Sequence, residues 1–148
     1  MEKKLFYLDS NIWLNLFKKE LSYFQRIPYW KIAQNFISKV MFSQDKEIIY
    51  TGFVLRELMF IINDKKLYED ALDFLTKEHK FRFVKAIPKD YDFARKLEKE
   101  SNYKISFFDC MHTAICKRLS AVLITRDNLL IKFAKRYIKV NRPEELIR

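Results

Sequence analysis

Short, uninterrupted apolar runs that alternate with longer segments of helical spacing are the feature that most constrains the fold of this chain. The first run is Leu5-Phe6-Tyr7-Leu8, and four more of about strand length follow at 48–50, 81–84, 121–124 and 137–140. Runs without alternating polar residues are typical of strands that are covered on both faces of a parallel sheet. We therefore predict five strands.

The segments between these runs carry apolar residues three or four positions apart, which is the spacing of a helix with one buried face. Two helices are predicted before the second strand, because Ile12 and Leu16 share this spacing and Trp30, Ala33 and Ile37 resume it. Further helices are predicted around 54–62, from 67 to near 80, from Pro88, from Ser106, and over 129–136. Strands that alternate with crossover helices predict a three-layer α/β/α sandwich with a mostly parallel sheet of about five strands, in one domain over 1–148.

Four acidic residues occupy positions where such a fold gathers its ligands. Ligands bind beyond the carboxyl ends of parallel strands. Asp9 directly follows the first strand and Asp127 lies three residues after the fourth, so both are expected at that edge. Glu57 lies about a turn and a half into the helix after the second strand, and Asp109 lies in the first turn of the helix before the fourth.

Each acid taken alone has a simpler structural explanation. Asp9 and Asp127 are suited to cap helices, Asp109 to close a capping box with Ser106, and Glu57 to lie on a solvated helix face. Together they are harder to explain, because clustered carboxylates repel one another unless a cation joins them. Oxygen ligands are those that Mg²⁺ or Mn²⁺ prefers, and such ions promote phosphodiester hydrolysis.

The charge of the chain favours a polyanionic partner. Its formal net charge is +10, which attracts nucleic acid, although solubility explains such a surplus equally well. The chain has 14 Phe and 8 Tyr residues, and those at helical spacing are mainly expected in the core. Only exposed aromatic residues near the acidic edge would count as candidates for stacking on RNA bases.

The two cysteines and two histidines do not suggest a second chemistry. Cys110 and Cys116 are six residues apart on different faces of one helix, so we expect reduced thiols and a cytoplasmic protein. Only four apolar residues precede Asp9, and no stretch reaches membrane-spanning length, so no membrane association is expected. His79 and His112 lack the second ligand pair of a zinc site and are expected in core or surface roles.

The four acids lie in segments that resemble the four acidic motifs of the PIN-domain family, small α/β nucleases that include the VapC-type toxins. The segments read LDSN at 8–11, LREL at 55–58, FDCMHTA at 108–114 and LITRD at 123–127. The resemblance in order and spacing covers most of the chain. Two departures are the segment Leu119-Ser120-Ala121, which lacks the glycine that relatives often have before the fourth strand, and the long aromatic-rich segment 17–30.

The resemblance implies specific roles for these residues. Asp9, Asp109 and Asp127 would bind the metal, Glu57 would contact the metal or its water, and the supporting polar residues would be Asn11 and Thr125. It also implies dependence on Mg²⁺ or Mn²⁺, cleavage of RNA, a homodimer and, for a toxin of a toxin–antitoxin pair, an antitoxin partner.

Two alternatives remain open. A haloacid-dehalogenase-like phosphohydrolase also opens with an aspartate after a strand, but it usually needs a second aspartate two residues later, where this chain has Asn11. Its Gly-Asp motif is also missing, because Gly52 is the sole glycine. The other alternative is a module that binds RNA or protein on the same fold without catalysis.

Overall fold

The computed structural model describes residues 2–21, 26–79 and 81–147, and it alternates strands with helices along the chain. The strands are β1 Lys4–Leu8, β2 Lys46–Tyr50, β3 Phe81–Phe83, β4 Val122–Ile124 and β5 Val140–Asn141. The helices are α1 Ser10–Phe17, α2 Tyr29–Met41, α3 Gly52–Ile61, α4 Lys65–Lys77, α5 Pro88–Glu100, α6 Phe107–Leu119 and α7 Asn128–Ala134. A short 3₁₀ helix, Pro143–Leu146, follows β5.

The five strands form one sheet in the order β3-β2-β1-β4-β5, and every pairing is parallel. The chain leaves β1 toward β2 and β3, and it then returns to place β4 on the other side of β1. Open parallel sheets bind ligands at such a reversal, beyond the carboxyl ends of the two strands. The backbone N–H of Asp9 donates to the carbonyl of Ile124 across this point, at 2.9 Å.

Helices cover both faces of the sheet, as the three-layer prediction requires. Neighbouring residues of a strand point to opposite faces. Accordingly, the Phe6 ring packs edge-on against Phe36 of α2, whereas the next residue, Tyr7, packs against His112 of α6. The carboxyl half of β1 is buried on both sides, which explains its uninterrupted apolar sequence.

Side-chain caps begin several of the helices. Asp9, Ser106 and Asp127 cap α1, α6 and α7 by accepting hydrogen bonds from backbone N–H groups of the first turn. Pro88 occupies the first position of α5, as its fixed φ favours. The caps on α1, α6 and α7 direct the starts of these helices toward the carboxyl edge of the sheet.

The last strand is shorter and later than predicted. The apolar run 137–140 predicted a strand, but β5 begins only at Val140. The backbone N–H groups of Tyr137 and Ile138 instead donate to the carbonyl of Ala134, which continues the turn after α7. The Tyr137 ring packs against Phe93 and Phe133, and these contacts keep it out of the sheet.

Helix α4 ends at Lys77, and the predicted end near 80 lies at a position outside the described residues, as does part of the aromatic-rich segment, at 22–25. Cys110 and Cys116 are free and buried. Among the described residues, no helix is long and apolar enough to cross a membrane.

Candidate metal centre

Asp9 lies at the reversal point of the sheet and serves two purposes. Its Oδ1 accepts a hydrogen bond from the backbone N–H of Ser10 at 2.7 Å, which caps α1. Its Oδ2 accepts from Thr125 Oγ1 at 2.8 Å and from Asn11 Nδ2 at 3.3 Å. These bonds hold a carboxylate that is only 4% exposed in a fixed orientation.

Thr125 links Asp9 to the loop that carries Asp127. The Thr125 hydroxyl accepts hydrogen bonds from the Asn11 amide and from the backbone N–H of Asp127, both at 3.1 Å. Asp127 itself caps α7 through the N–H of Leu130. Asn11 and Thr125 therefore join the ends of β1 and β4.

Glu57 reaches the same region from α3. Its Oε1 lies 2.6 Å from Nε2 of His112, and the Glu57 side chain is 19% exposed. The same Nε2 lies 3.8 Å from Oδ1 of Asp9. Glu57 thus leans back from its helix toward the strand ends.

Asp109 enters from the first turn of α6. Ser106 caps that helix by accepting from the backbone N–H of Asp109 at 3.2 Å, which orients the turn. His112 follows one helical turn later and lies on the same side of α6 as Asp109. Helix α6 therefore contributes one acid and one imidazole.

One group of four residues converges closely enough to hold a cation. Asp9, Glu57, Asp109 and His112 each offer one potential ligand atom, and these atoms all lie within 4.8 Å of one another. Asp127 is not a member of this group, although its charge is near enough to raise the pKa of Asp109.

Burial and mutual repulsion shape the ionisation of the cluster. Burial and, after it, the charge of Asp9 together raise the pKa of Asp109 to about 7. The pKa of Asp9 is raised by burial, although His112 partly offsets this effect. Burial lowers the pKa of His112, but its hydrogen bond to Glu57 and the charge of Asp9 outweigh burial and leave that pKa raised.

The structure brings together three of the four predicted acids, and the fourth is joined to them through Thr125. His112 is the member of the group that the sequence did not single out, since it was expected in a core or surface role. It is fully buried, yet it faces the acids. Its position three residues after Asp109 in a helix is the signal that could have identified it.

Several solved structures share the fold at low sequence identity. VapBC2 from Rickettsia felis, bound to a DNA fragment from its promoter, matches with a TM-score of 0.69 and 18% identity over 93% of this chain and 98% of that one. VapBC-1 from nontypeable Haemophilus influenzae matches with a TM-score of 0.68 and 16% identity, over 95% of this chain and 98% of that one. VapC20 from Mycobacterium tuberculosis is described as a toxin that cleaves the sarcin-ricin loop. It matches with a TM-score of 0.67 and 14% identity, over 93% of this chain and 99% of that one.

The amino-acid sequence of the chain also identifies its family. No curated protein matches the sequence. The sequence profile of the PIN domain, however, matches residues 6–136, a span that includes all four predicted acids, all of α1 to α7 and most of β1. The chain therefore belongs to the PIN-domain family.

Proposed function

We propose that this protein is a divalent-metal-dependent endoribonuclease that hydrolyses RNA phosphodiester bonds at the cluster of Asp9, Glu57 and Asp109. The observation that carries the proposal is the convergence of three carboxylates from β1, α3 and α6 at the reversal point of a parallel sheet. Membership of the PIN-domain family supports a nuclease.

The residues of the cluster fit a hard divalent cation. Within the described part of the chain, no lysine or arginine forms an ion pair with any of the three carboxylates. Burial, and after it the nearby charge of Asp9, raises the pKa of Asp109. In addition, Asn11 Oδ1 is buried without a hydrogen-bond partner among the described residues, so one more oxygen is available nearby.

Asp9, Glu57 and Asp109 would hold Mg²⁺ or Mn²⁺, because such ions prefer carboxylate oxygens. A bound ion would supply Lewis-acid chemistry, which lowers the pKa of a water and neutralises charge on the phosphate. The chain's own residues do the positioning. Asn11 and Thr125 orient the Asp9 carboxylate, and Asp127 adds a negative charge next to Asp109.

The family resemblance implies that Asp127 is a direct ligand and that Glu57 contacts the metal or its water. The geometry favours the opposite order, because Glu57 belongs to the close group and Asp127 does not. We therefore propose Glu57 as the third direct ligand. Asp127 remains proposed as an acid that contacts the metal or its water.

Two features support RNA as the substrate. The net charge of +10 attracts a polyanion to an acidic site that would otherwise repel it. Next to Glu57, a cleft of about 310 Å³ is lined by side chains of α3 and the start of α6, and these are Phe60, Ile61, Ser106, Phe107 and Phe108. Phe60 is 67% exposed, so its ring is available for stacking on a base beside the acids.

The structural relatives support a role as the toxin of a toxin–antitoxin pair. Two of them are VapBC proteins and the third is a VapC toxin that cleaves the sarcin-ricin loop. We extend their description to this chain as a proposal, with an antitoxin protein as a partner and a homodimer as the assembly. Light scattering of the purified protein, alone and with the product of a neighbouring gene, tests both partners.

The metal requirement is tested on a labelled RNA. We expect the purified protein to cleave it with Mg²⁺ or Mn²⁺, to stop when EDTA is added, and to resume when excess Mn²⁺ is restored. Cleavage that persists in EDTA contradicts the metal mechanism. A gel shift without cleavage would indicate the non-catalytic binding module, and release of phosphate from small esters would indicate the phosphohydrolase.

A further inference from the structure

A buried chain of hydrogen bonds ends on Glu57. The Tyr7 hydroxyl lies 2.7 Å from Thr51 Oγ1 and 2.5 Å from Nδ1 of His112, and Nε2 of His112 lies 2.6 Å from Glu57 Oε1. Tyr7 and His112 are fully buried and Thr51 is nearly so. These hydrogen bonds connect β1, which carries Tyr7, with His112 of α6. They also connect Thr51, the residue before α3, and Glu57 within α3.

We propose that His112 is a positioning residue that donates its Nε2 proton to Glu57, and that Tyr7 and Thr51 hold its ring for this purpose. His112 is then not a metal ligand, although it belongs to the close group. This inference rests on the proposed function, because it assigns how one acid of that site is oriented.

The distances at Nε2 support donation. An ionised carboxylate can only accept hydrogen bonds, so an imidazole nitrogen 2.6 Å from Glu57 must carry the proton. A nitrogen that carries a proton has no lone pair left for a metal. The next acid, Asp9, is 3.8 Å away, beyond a hydrogen bond, so the proton is directed to Glu57 alone.

The opposite side of the ring is held by groups that suit either ionisation state of His112. Hydroxyl groups can donate or accept, so Tyr7 can accept from a protonated Nδ1 or donate to a neutral one while Thr51 reorients its own hydroxyl. The ring is therefore bonded at both nitrogens by different elements. It cannot turn without breaking one of these bonds.

Glu57 gains a fixed orientation from this arrangement. A glutamate side chain on a helix has several rotamers, and a fixed partner is needed to hold it in one of them. The bond from His112 selects the one in which Oε1 lies near Asp9 and Asp109. Loss of that bond is expected to misplace the carboxylate without removing it.

The proton on Nε2 can be observed directly. The chain has only two histidines, and His79 is exposed, so a His79→Gln protein shows a single imidazole in ¹H–¹⁵N spectra. We expect Nε2 of His112 to bear a proton both without metal and with saturating Mg²⁺. Loss of that proton when Mg²⁺ binds would make His112 a ligand and overturn the inference. This readout needs no catalytic activity.

Kinetics on hydroxyl deletions test the positioning role. Tyr7→Phe is expected to lower kcat for RNA cleavage about tenfold with KM within about twofold, since the acid that acts in the chemical step is misplaced. Thr51→Val should have a smaller effect, and the double variant should be no worse than Tyr7→Phe because both act through one ring. His112→Gln, whose amide can still donate, should retain more activity than His112→Leu.

The matched control is Tyr50→Phe, which deletes a hydroxyl from β2 that makes no side-chain hydrogen bond within the described part of the chain. Its kcat should equal that of the wild type. Equal kcat for Tyr7→Phe and Tyr50→Phe would refute the positioning role while wild-type cleavage leaves the proposed function intact. If the wild type fails to cleave RNA, the proposed function fails, and the spectra still decide the state of His112.

Discussion

Asp109 is the acid whose burial has the clearest measurable consequence. Its pKa is raised from 3.8 to about 7, first by burial and then by the charge of Asp9. A carboxyl group with a raised pKa in the folded state stabilises the fold while it is protonated. That contribution is therefore present below about pH 4 and is lost as pH rises toward about 7.

The metal-free protein should accordingly lose stability between about pH 5 and about pH 8, and Asp109→Asn should remove roughly 1 to 3 kcal/mol of that loss. Urea unfolding in EDTA at the two pH values measures this change in the free energy of unfolding. Asp73→Asn, at an exposed acid of α4, is the control and should behave as the wild type. An unchanged pH dependence in Asp109→Asn would show that Asp109 is not the group responsible.

Phe60 provides a second test at the level of one residue. Its ring is exposed at the cleft beside Glu57, so Phe60→Ala should raise KM for single-stranded RNA by about 5- to 50-fold through lost stacking. The control is Phe42→Ala, because Phe42 is 91% exposed but lies after α2, before the amino end of β2. If both variants keep the wild-type KM, Phe60 does not contact the substrate.

At the residue scale, the sequence offers two alternative explanations for Asp9, whereas the structure gives Asp9 both positions at once. Asp9 was explained either as a helix cap or as a member of the site, and it is a cap that also lies in the close group. Its position directly after a buried strand was enough to predict its place. The preference for Asp127 over Glu57 could not be settled from spacing, because the reach of Glu57 depends on how α3 packs near α6.

At the scale of single elements, the end of α6 carries a backbone conformation that suits glycine. Ser120 ends the helix with φ 54° and ψ 37°, a left-handed conformation that is unfavourable for residues with a Cβ. The segment Leu119-Ser120-Ala121 before β4 lacks the glycine that the family resemblance implies, and Ser120 is the residue of that segment with a positive φ. Ser120 therefore holds a conformation that costs free energy for a residue with a Cβ.

Ser120→Gly should therefore stabilise the protein by roughly 0.5 to 1 kcal/mol, measured by urea unfolding. Ser38→Gly is the matched control, because Ser38 lies inside α2. Its free energy of unfolding should fall by about as much as that of Ser120→Gly rises. A destabilised Ser120→Gly protein would mean that the serine side chain, not the backbone conformation, determines stability there.

Strand β5 shows where apolar runs fail as predictors of an element. The run 137–140 has the composition of a strand. The Tyr137 ring, however, packs against α5 and α7, and this packing favours a turn over a strand at the start of the run. The contact of Tyr137 with Phe93 joins residues far apart in sequence, so it leaves no local pattern. Longer elements with a strong periodicity, such as α2, were predicted correctly because their local pattern agrees with their burial.

For the whole molecule, the sequence predicted the layers and the shared edge of Asp9 and Asp127, but not the strand order. Periodicity identifies elements, whereas the order β3-β2-β1-β4-β5 depends on which strands become neighbours. That order places β1 beside β4 and creates the reversal at which Asp9 lies. The site is therefore a property of the complete fold, since β1, α3 and α6 all contribute to it.

The comparison of Asp9→Asn with the wild type in cleavage of a labelled RNA at saturating Mn²⁺ tests the central claim most directly. Asparagine has nearly the same shape and can still accept from Ser10, so the circular dichroism spectrum should be unchanged. We predict that the variant loses at least about 100-fold in cleavage rate, because a carboxylate of the metal site is removed. A folded Asp9→Asn protein that cleaves RNA as fast as the wild type would contradict the account.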